Sequence, residues 1–198
     1  MTHHSTDSPN ENPTAKTKRS HTWLQQQLDI IWSQHFSDIE RLNIVTIEWG
    51  RTNRNRLGSI TGKGGSRDNP TRSEIRINSL MRDERVPESV IWQTIAHELS
   101  HYCHGFCSPH PQKYPHAHRG NIIEKELRSR NLAIVYEESE AWLKANWRNY
   151  LAQTIGTTRR KAPIRRTYAP RITVSLLQNF KQGLIGQHRL RRRKRDSV

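Results

Sequence analysis

The segment that most restricts the fold runs from Val86 to Gly105 and reads VPESVIWQTIAHELSHYCHG. Its apolar residues recur at intervals of three and four, which predicts an amphipathic helix. Pro87 and Glu88 suit the first turn of that helix, and Gly105 can end it in the left-handed conformation. The segment is therefore predicted to be a helix with defined ends, so the residues that share each of its faces can be worked out.

This helix carries two histidines and a glutamate in the order His-Glu-x-x-His. Residues four apart lie on one face of a helix, so His97 and His101 can bind one cation together through their imidazoles. Glu98 is offset from His97 by about 100°, which lets its carboxylate reach a water on the cation without binding the cation itself. The pattern indicates a zinc-dependent hydrolase. The alternative is a helix whose exposed face is merely rich in histidine, in a chain that contains 11 histidines.

A catalytic zinc site normally has three protein ligands, and the residues alone leave the third one open. His104 lies on nearly the same face as His97, but it is about 10.5 Å further along the axis, too far for both to bind one ion. His118 lies just before a helix predicted from about Asn121, where a ligand can fold back onto the motif. The remaining candidates are histidines and carboxylates that follow the motif, namely His110, His116, His118, Glu124, Glu137 and Glu138.

Two segments before the motif alternate apolar and polar residues, as strands do. They are NIVTIEW (43–49) and SEIRIN (73–78), and a third strand is predicted in RLGSIT (56–61). The Gly-rich stretch TGKGGSRDNP is predicted to be a short connector, which suits antiparallel strands. An amphipathic helix of about 18 residues, starting near Thr22, precedes the strands. We therefore predict an α+β fold with a small antiparallel sheet packed on helices that include the motif helix.

Charge divides the chain of 198 residues unevenly. Residues 157–198 carry 13 Lys and Arg against one acidic residue, whereas residues 1–156 carry 20 basic and 17 acidic residues. We predict a disordered polar tail over 1–21, a folded domain over 22–156 and a basic extension over 157–198. The extension is either a solvated tail, a localisation signal, or an arm that binds DNA without reading its sequence. We favour the arm, with phosphate contacts from Arg159, Arg160, Lys161, Arg165, Arg166, Arg191, Arg192, Arg193, Lys194 and Arg195.

Other features of the sequence bear on the compartment. No segment is long and apolar enough to span a membrane, and the first 20 residues lack the apolar stretch of a secretory signal. The two cysteines, Cys103 and Cys107, are predicted to be reduced thiols. We therefore expect a protein of the cytoplasm or nucleoid, or of the nucleus in a eukaryotic source.

Three stretches together resemble the SprT-like metallopeptidases, the family that includes the Spartan-type DNA–protein crosslink proteases. They are IVTIEWGRTNRNRLGSITG, SEIRINSLMRDERVPESVIWQTIAHELSH and HAHRGNIIEKEL, and the similarity covers about residues 22–135. The resemblance implies a zincin-like fold with one zinc ion, His97 and His101 as ligands and Glu98 as general base. It also implies a third ligand from the following loop, for which His118 fits the spacing better than His116.

Two functions follow from these observations. The first is a zinc-dependent endopeptidase of SprT-like type, which the basic arm would bring to DNA-bound proteins. The alternative is a nucleic-acid-binding or scaffold protein on a peptidase fold, with a structural or vestigial metal site. Glu98 distinguishes them, because a structural site needs its histidines but has no use for a neighbouring proton acceptor.

Overall fold

The computed structural model describes residues 18–156. The rest of the predicted polar tail and the whole basic extension, with all ten of its proposed DNA-contacting residues, lie outside this range. The described chain folds into four helices and three strands, and short 3₁₀ turns precede the second and third helices. In chain order the elements are α1 (His21–His35), β1 (Ile44–Trp49), β2 (Gly58–Lys63), β3 (Arg72–Ile77), α2 (Glu88–Cys103), α3 (Ile122–Ser129) and α4 (Ala133–Ile155).

The α+β class is confirmed, but the antiparallel sheet is only partly correct. The sheet has the order β1-β3-β2, with β2 antiparallel and β1 parallel to the central strand β3. The short loop between β2 and β3 forms a hairpin, and Gly64 and Gly65 supply positive φ values of 64° and 60° there. Because β1 pairs with β3 rather than with β2, it runs parallel to β3. The sheet is therefore mixed.

The motif helix α2 lies at the centre of the domain. It buries 12 of its 16 residues and packs against α1, α3, α4 and two of the strands. Its apolar residues join a row of isoleucines across the sheet, where Ile75 of β3 is paired with Ile47 of β1 and Ile60 of β2. A helix covered on most sides is held rigidly, so side chains on its one accessible face are held in place.

Several boundaries differ from the prediction. Residues 18–21, which were assigned to the polar tail, have defined contacts: Lys18 forms a β-bridge with Asp83, and Ser20 caps α1. Helix α1 ends at His35, short of the predicted 18 residues. The helices expected after the motif are α3 and α4, and the chain turns between them at Asn131, which has φ 60°. Among the described residues, no helix has the length and apolarity needed to cross a membrane.

Candidate metal centre

The two motif histidines occupy one face of α2, as their spacing predicts. Their ring centroids lie 4.8 Å apart with the planes inclined at 75°. His101 is buried, whereas His97 is half-buried at the edge of an open pocket. The helix therefore presents a pair of imidazoles to one point next to a solvent-accessible space.

A loop returns a third imidazole to this pair. Helix α2 ends before Gly105, which has φ 79° and passes so close to Gln112 that an added Cβ would lie 2.6 Å from its backbone. This turn reverses the chain, and α3 then packs on α2 through Ile123 and Leu127. The reversal brings His118 within 5.4 Å of His97 and 4.6 Å of His101, measured between ring centroids.

The three histidines fit a divalent cation. Each offers one ring nitrogen, and these nitrogens lie within 4.8 Å of one another, near what two bonds of about 2.1 Å can span. Burial lowers the pKa of His97 to about 4 and that of His101 to about 3, and the neighbouring imidazoles add to both shifts. Both rings are therefore neutral at pH 7, as ligands must be. Nδ1 of His101 is buried with no hydrogen-bond partner among residues 18–156, so the protein does not engage that atom.

Glu98 lies against the edge strand β2. Its side chain is within 3.4 Å of a Cβ built on Gly58, with the nearest carboxylate oxygen at 2.8 Å, so only glycine leaves it room. The backbone N–H of Ile60 lies near this carboxylate and favours its ionised form. Burial raises the pKa of Glu98 to about 8, although the charge of Arg56 and the Ile60 N–H oppose the shift. Without a cation the carboxyl group is therefore mainly protonated at pH 7, whereas a cation held by the adjacent histidines would lower this pKa and favour the ionised carboxylate.

A pocket of about 420 Å³ opens beside these residues. His97, Glu98 and His118 form one side of it. The other lining residues come from the β2 region, from α2 and from α3 and α4, and they are Arg56, Leu57, Gly58, Gln93, Thr94, Asn121, Ile123, Glu124, Tyr136 and Glu140. A substrate in this pocket would lie against both the imidazole group and Glu98.

The other candidate ligands do not join the group. His116 is exposed and outside it, although it is only two residues before His118. His110 uses Nε2 to contact the carbonyl oxygen of Glu40 at 2.9 Å. Glu124 and Glu137 both form ion pairs with Arg128, at 3.0 and 2.9 Å, and Glu138 is exposed outside the pocket. The structure therefore brings His118, of the alternatives, to the motif histidines.

A second group of potential ligands comprises Cys103, His104 and Glu126. The imidazole Nε2–H of His104 donates to Glu126 at 2.9 Å, and Nε of Arg130 donates to the same carboxylate at 2.7 Å. These hydrogen bonds, that of His104 foremost, lower the pKa of Glu126 to about 2, whereas burial raises the pKa of Cys103 to about 12. The thiol of Cys103 is thus protonated and is a poor metal ligand. The charge of Glu126 is already balanced by Arg130, so this carboxylate does not need a metal ion as its partner. We interpret this group as a structural link between α2 and α3.

Several pocket residues were missed by reasoning from the sequence. Gln93 could have been found, because it lies four residues before His97 on the same face of the helix. Gly58, Tyr136 and Glu140 carry no local signal, since their proximity to Glu98 depends on the packing of β2 and α4 on α2.

Comparisons of the chain with protein-family models, with curated proteins and with solved structures give no match. The functional interpretation therefore depends on the motifs and on the geometry of the site.

Proposed function

We propose that this protein is a zinc-dependent endopeptidase of SprT-like type. The observation that carries the proposal is the convergence of three imidazoles beside a buried carboxylate at the wall of an open pocket. Among residues 18–156 the histidine set has no fourth protein ligand, which leaves a position for substrate and favours a catalytic over a structural zinc site. The same features are those expected from the resemblance to SprT-like domains.

The edge strand supports a polypeptide substrate. Within residues 18–156, β2 pairs with β3 on one side only, and its first residue Gly58 lines the pocket beside Glu98, as does the preceding Leu57. An unpaired strand edge can form main-chain hydrogen bonds with an extended peptide. A peptide bond presented along β2 would therefore pass close to the three histidines.

In this mechanism His97, His101 and His118 would hold the ion through their ring nitrogens. A zinc ion there would supply a Lewis acid that polarises a carbonyl and makes water nucleophilic near neutral pH. Glu98 accepts the proton of the attacking water and returns it to the leaving amine. Burial raises the pKa of Glu98, and the ionised carboxylate that this first step requires would be favoured by the bound cation together with the charge of Arg56 and the Ile60 N–H.

The basic extension suggests where such an enzyme acts. With 13 basic residues against one acid, residues 157–198 can neutralise phosphates, and residues 1–156 are nearly balanced in charge. We propose that this arm binds DNA non-specifically and brings the peptidase to proteins on DNA. The non-catalytic alternative, a scaffold that only binds nucleic acid, makes no use of a proton acceptor beside the histidines.

The test compares wild type with Glu98→Gln in the full-length protein. The substitution keeps the shape of the side chain but removes its basicity, so zinc content and folding should be retained while cleavage of an unfolded protein is lost. Glu138→Gln, on the exposed side of α4 and outside the pocket, is the matched control and should cleave normally. Cleavage is measured with and without DNA. Undiminished activity of Glu98→Gln, or no zinc in wild type, would refute the proposal.

A further inference from the structure

The pocket beside Glu98 extends past the histidines along α2 and α4. Gln93 lies there, one turn before His97 on the same face, and Tyr136 and Glu140 occupy successive turns of α4. Ile123 of α3 adds an apolar wall. This end of the pocket is formed by residues that the proposed hydrolysis does not use.

Gln93 is a polar side chain in an unusual setting. It is only 8% exposed and lines the pocket, yet its amide forms no hydrogen bond within residues 18–156. The polar atoms of its amide are not themselves buried, so they remain accessible from the pocket. The amide can therefore exchange water for a hydrogen bond to a ligand bound there.

Glu140 gives this end of the pocket its charge. The other carboxylate in the same wall, Glu124, is neutralised by Arg128 at 3.0 Å, whereas Glu140 has no ion pair in the described part of the chain. The pKa of Tyr136 is raised by burial and, in addition, by the negative charge of Glu140 and Glu124. Arg56, the cationic residue of the lining, belongs to the β2 side of the pocket. The α4 side is therefore suited to a cation.

We propose that this end of the pocket is a subsite for a lysine or arginine side chain of the substrate, recognised by Glu140 and Gln93. This inference rests on the proposed peptidase function and adds a substrate preference to it. The aliphatic stem of such a side chain would pack on Ile123 and on the ring of Tyr136. Its charged head would form an ion pair with Glu140 and donate a hydrogen bond to the side-chain oxygen of Gln93.

The test measures binding, so that it does not require catalysis. Full-length, zinc-loaded Glu98→Gln is titrated with two fluorescent peptides that differ only in having lysine or norleucine at one position, and anisotropy is recorded. The position of the varied residue is moved along the peptide. At one position, lysine should bind up to about fivefold more tightly than norleucine, as expected for an ion pair of about 1 kcal/mol with the exposed Glu140.

Variants of the two glutamates on α4 separate the subsite from general electrostatics. In the Glu98→Gln protein, the additional substitution Glu140→Gln should abolish the preference for the lysine peptide over the norleucine peptide. Glu140→Lys should instead make the protein prefer a peptide with glutamate at that position. Glu138→Gln and Glu138→Lys change the net charge equally but lie outside the pocket, and should leave the preference intact. Gln93→Leu should reduce the preference, because it removes the hydrogen-bond acceptor, and should not lower the stability of the protein, because the amide forms no hydrogen bond within residues 18–156.

Equal binding of the two peptides at every position, no binding of either, or equal effects of the Glu140 and Glu138 variants would overturn the inference. The proposed function fails in a different way. If the lysine preference and its loss in Glu140→Gln are observed but wild type cleaves nothing, the subsite stands and the peptidase assignment is wrong.

Discussion

Replacing His104 and His118 separately by alanine should have opposite consequences, although both histidines lie close to the motif. His104 is fully buried, and its imidazole donates to Glu126 at 2.9 Å. His118 is exposed and belongs to the imidazole group. We expect His104→Ala to destabilise the fold and spare metal binding, and His118→Ala to do the reverse.

The magnitudes follow from these contacts. His104→Ala removes a hydrogen bond to a charged group, which costs about 1.5–3 kcal/mol, and leaves a small cavity that adds about 1 kcal/mol. Glu126 keeps its bond from Arg130 at 2.7 Å and is not left unpaired. A loss of about 3 kcal/mol in a domain of this size should lower Tm by roughly 10 °C. His118→Ala should change the stability of the metal-free protein by less than about 0.5 kcal/mol.

Two assays distinguish these outcomes. Urea unfolding of the metal-free proteins, followed by tryptophan fluorescence, gives the free energy of unfolding. Competition with a coloured chelator gives zinc affinity, which His118→Ala should weaken by more than about 100-fold, since even residues that only orient a ligand change affinity 10- to 100-fold. His116→Ala is the control and should change neither quantity. The reasoning is refuted if His104→Ala weakens zinc binding as much as His118→Ala, or if His118→Ala is the more destabilising in the metal-free protein.

Three further predictions concern other parts of the molecule. Gly58→Ala would place a Cβ 2.6 Å from Thr94 and 2.8 Å from Glu98, so it should cost about 1–3 kcal/mol and reduce cleavage while zinc is retained. Unaltered activity would show that the carboxylate has room to move. Because the pKa of Glu126 is about 2 in the folded protein against about 4.3 when unfolded, its stabilising contribution should be complete above about pH 5 and lost as the pH falls towards 2. Urea midpoints of wild type should fall over this range, and those of Glu126→Gln should fall less; parallel curves would contradict the assignment. Deleting residues 157–198 should remove most DNA affinity and its steep salt dependence while zinc remains bound, as measured by anisotropy at several salt concentrations. Equal DNA affinity of the truncated protein would place the binding surface within the domain.

Local periodicity was sufficient to predict the helix and the two strands around the candidate site. Spacing of three and four predicts α2, and alternation predicts β1 and β3, because these patterns depend on residues close together in sequence. The proximity of His97 and His101 could also be predicted from local sequence, because one turn of helix brings residues four apart together wherever the helix lies in the fold. The sequence by itself therefore determined the helix, the α+β class and two of the three candidate ligands.

Contacts between distant segments were decided only by the tertiary structure. The direction of β1 depends on its pairing with β3 rather than β2, which no local pattern specifies. Sequence reasoning left several third ligands open, because the position of His118 depends on the chain reversal at Gly105 and on the packing of α3 against α2. Likewise Gly58 lies against Glu98, and Glu140 lines the pocket, only because β2 and α4 both pack on α2. Packing between segments that are distant in sequence sets the positions of these residues. A single sequence has no periodic pattern from which such packing can be predicted.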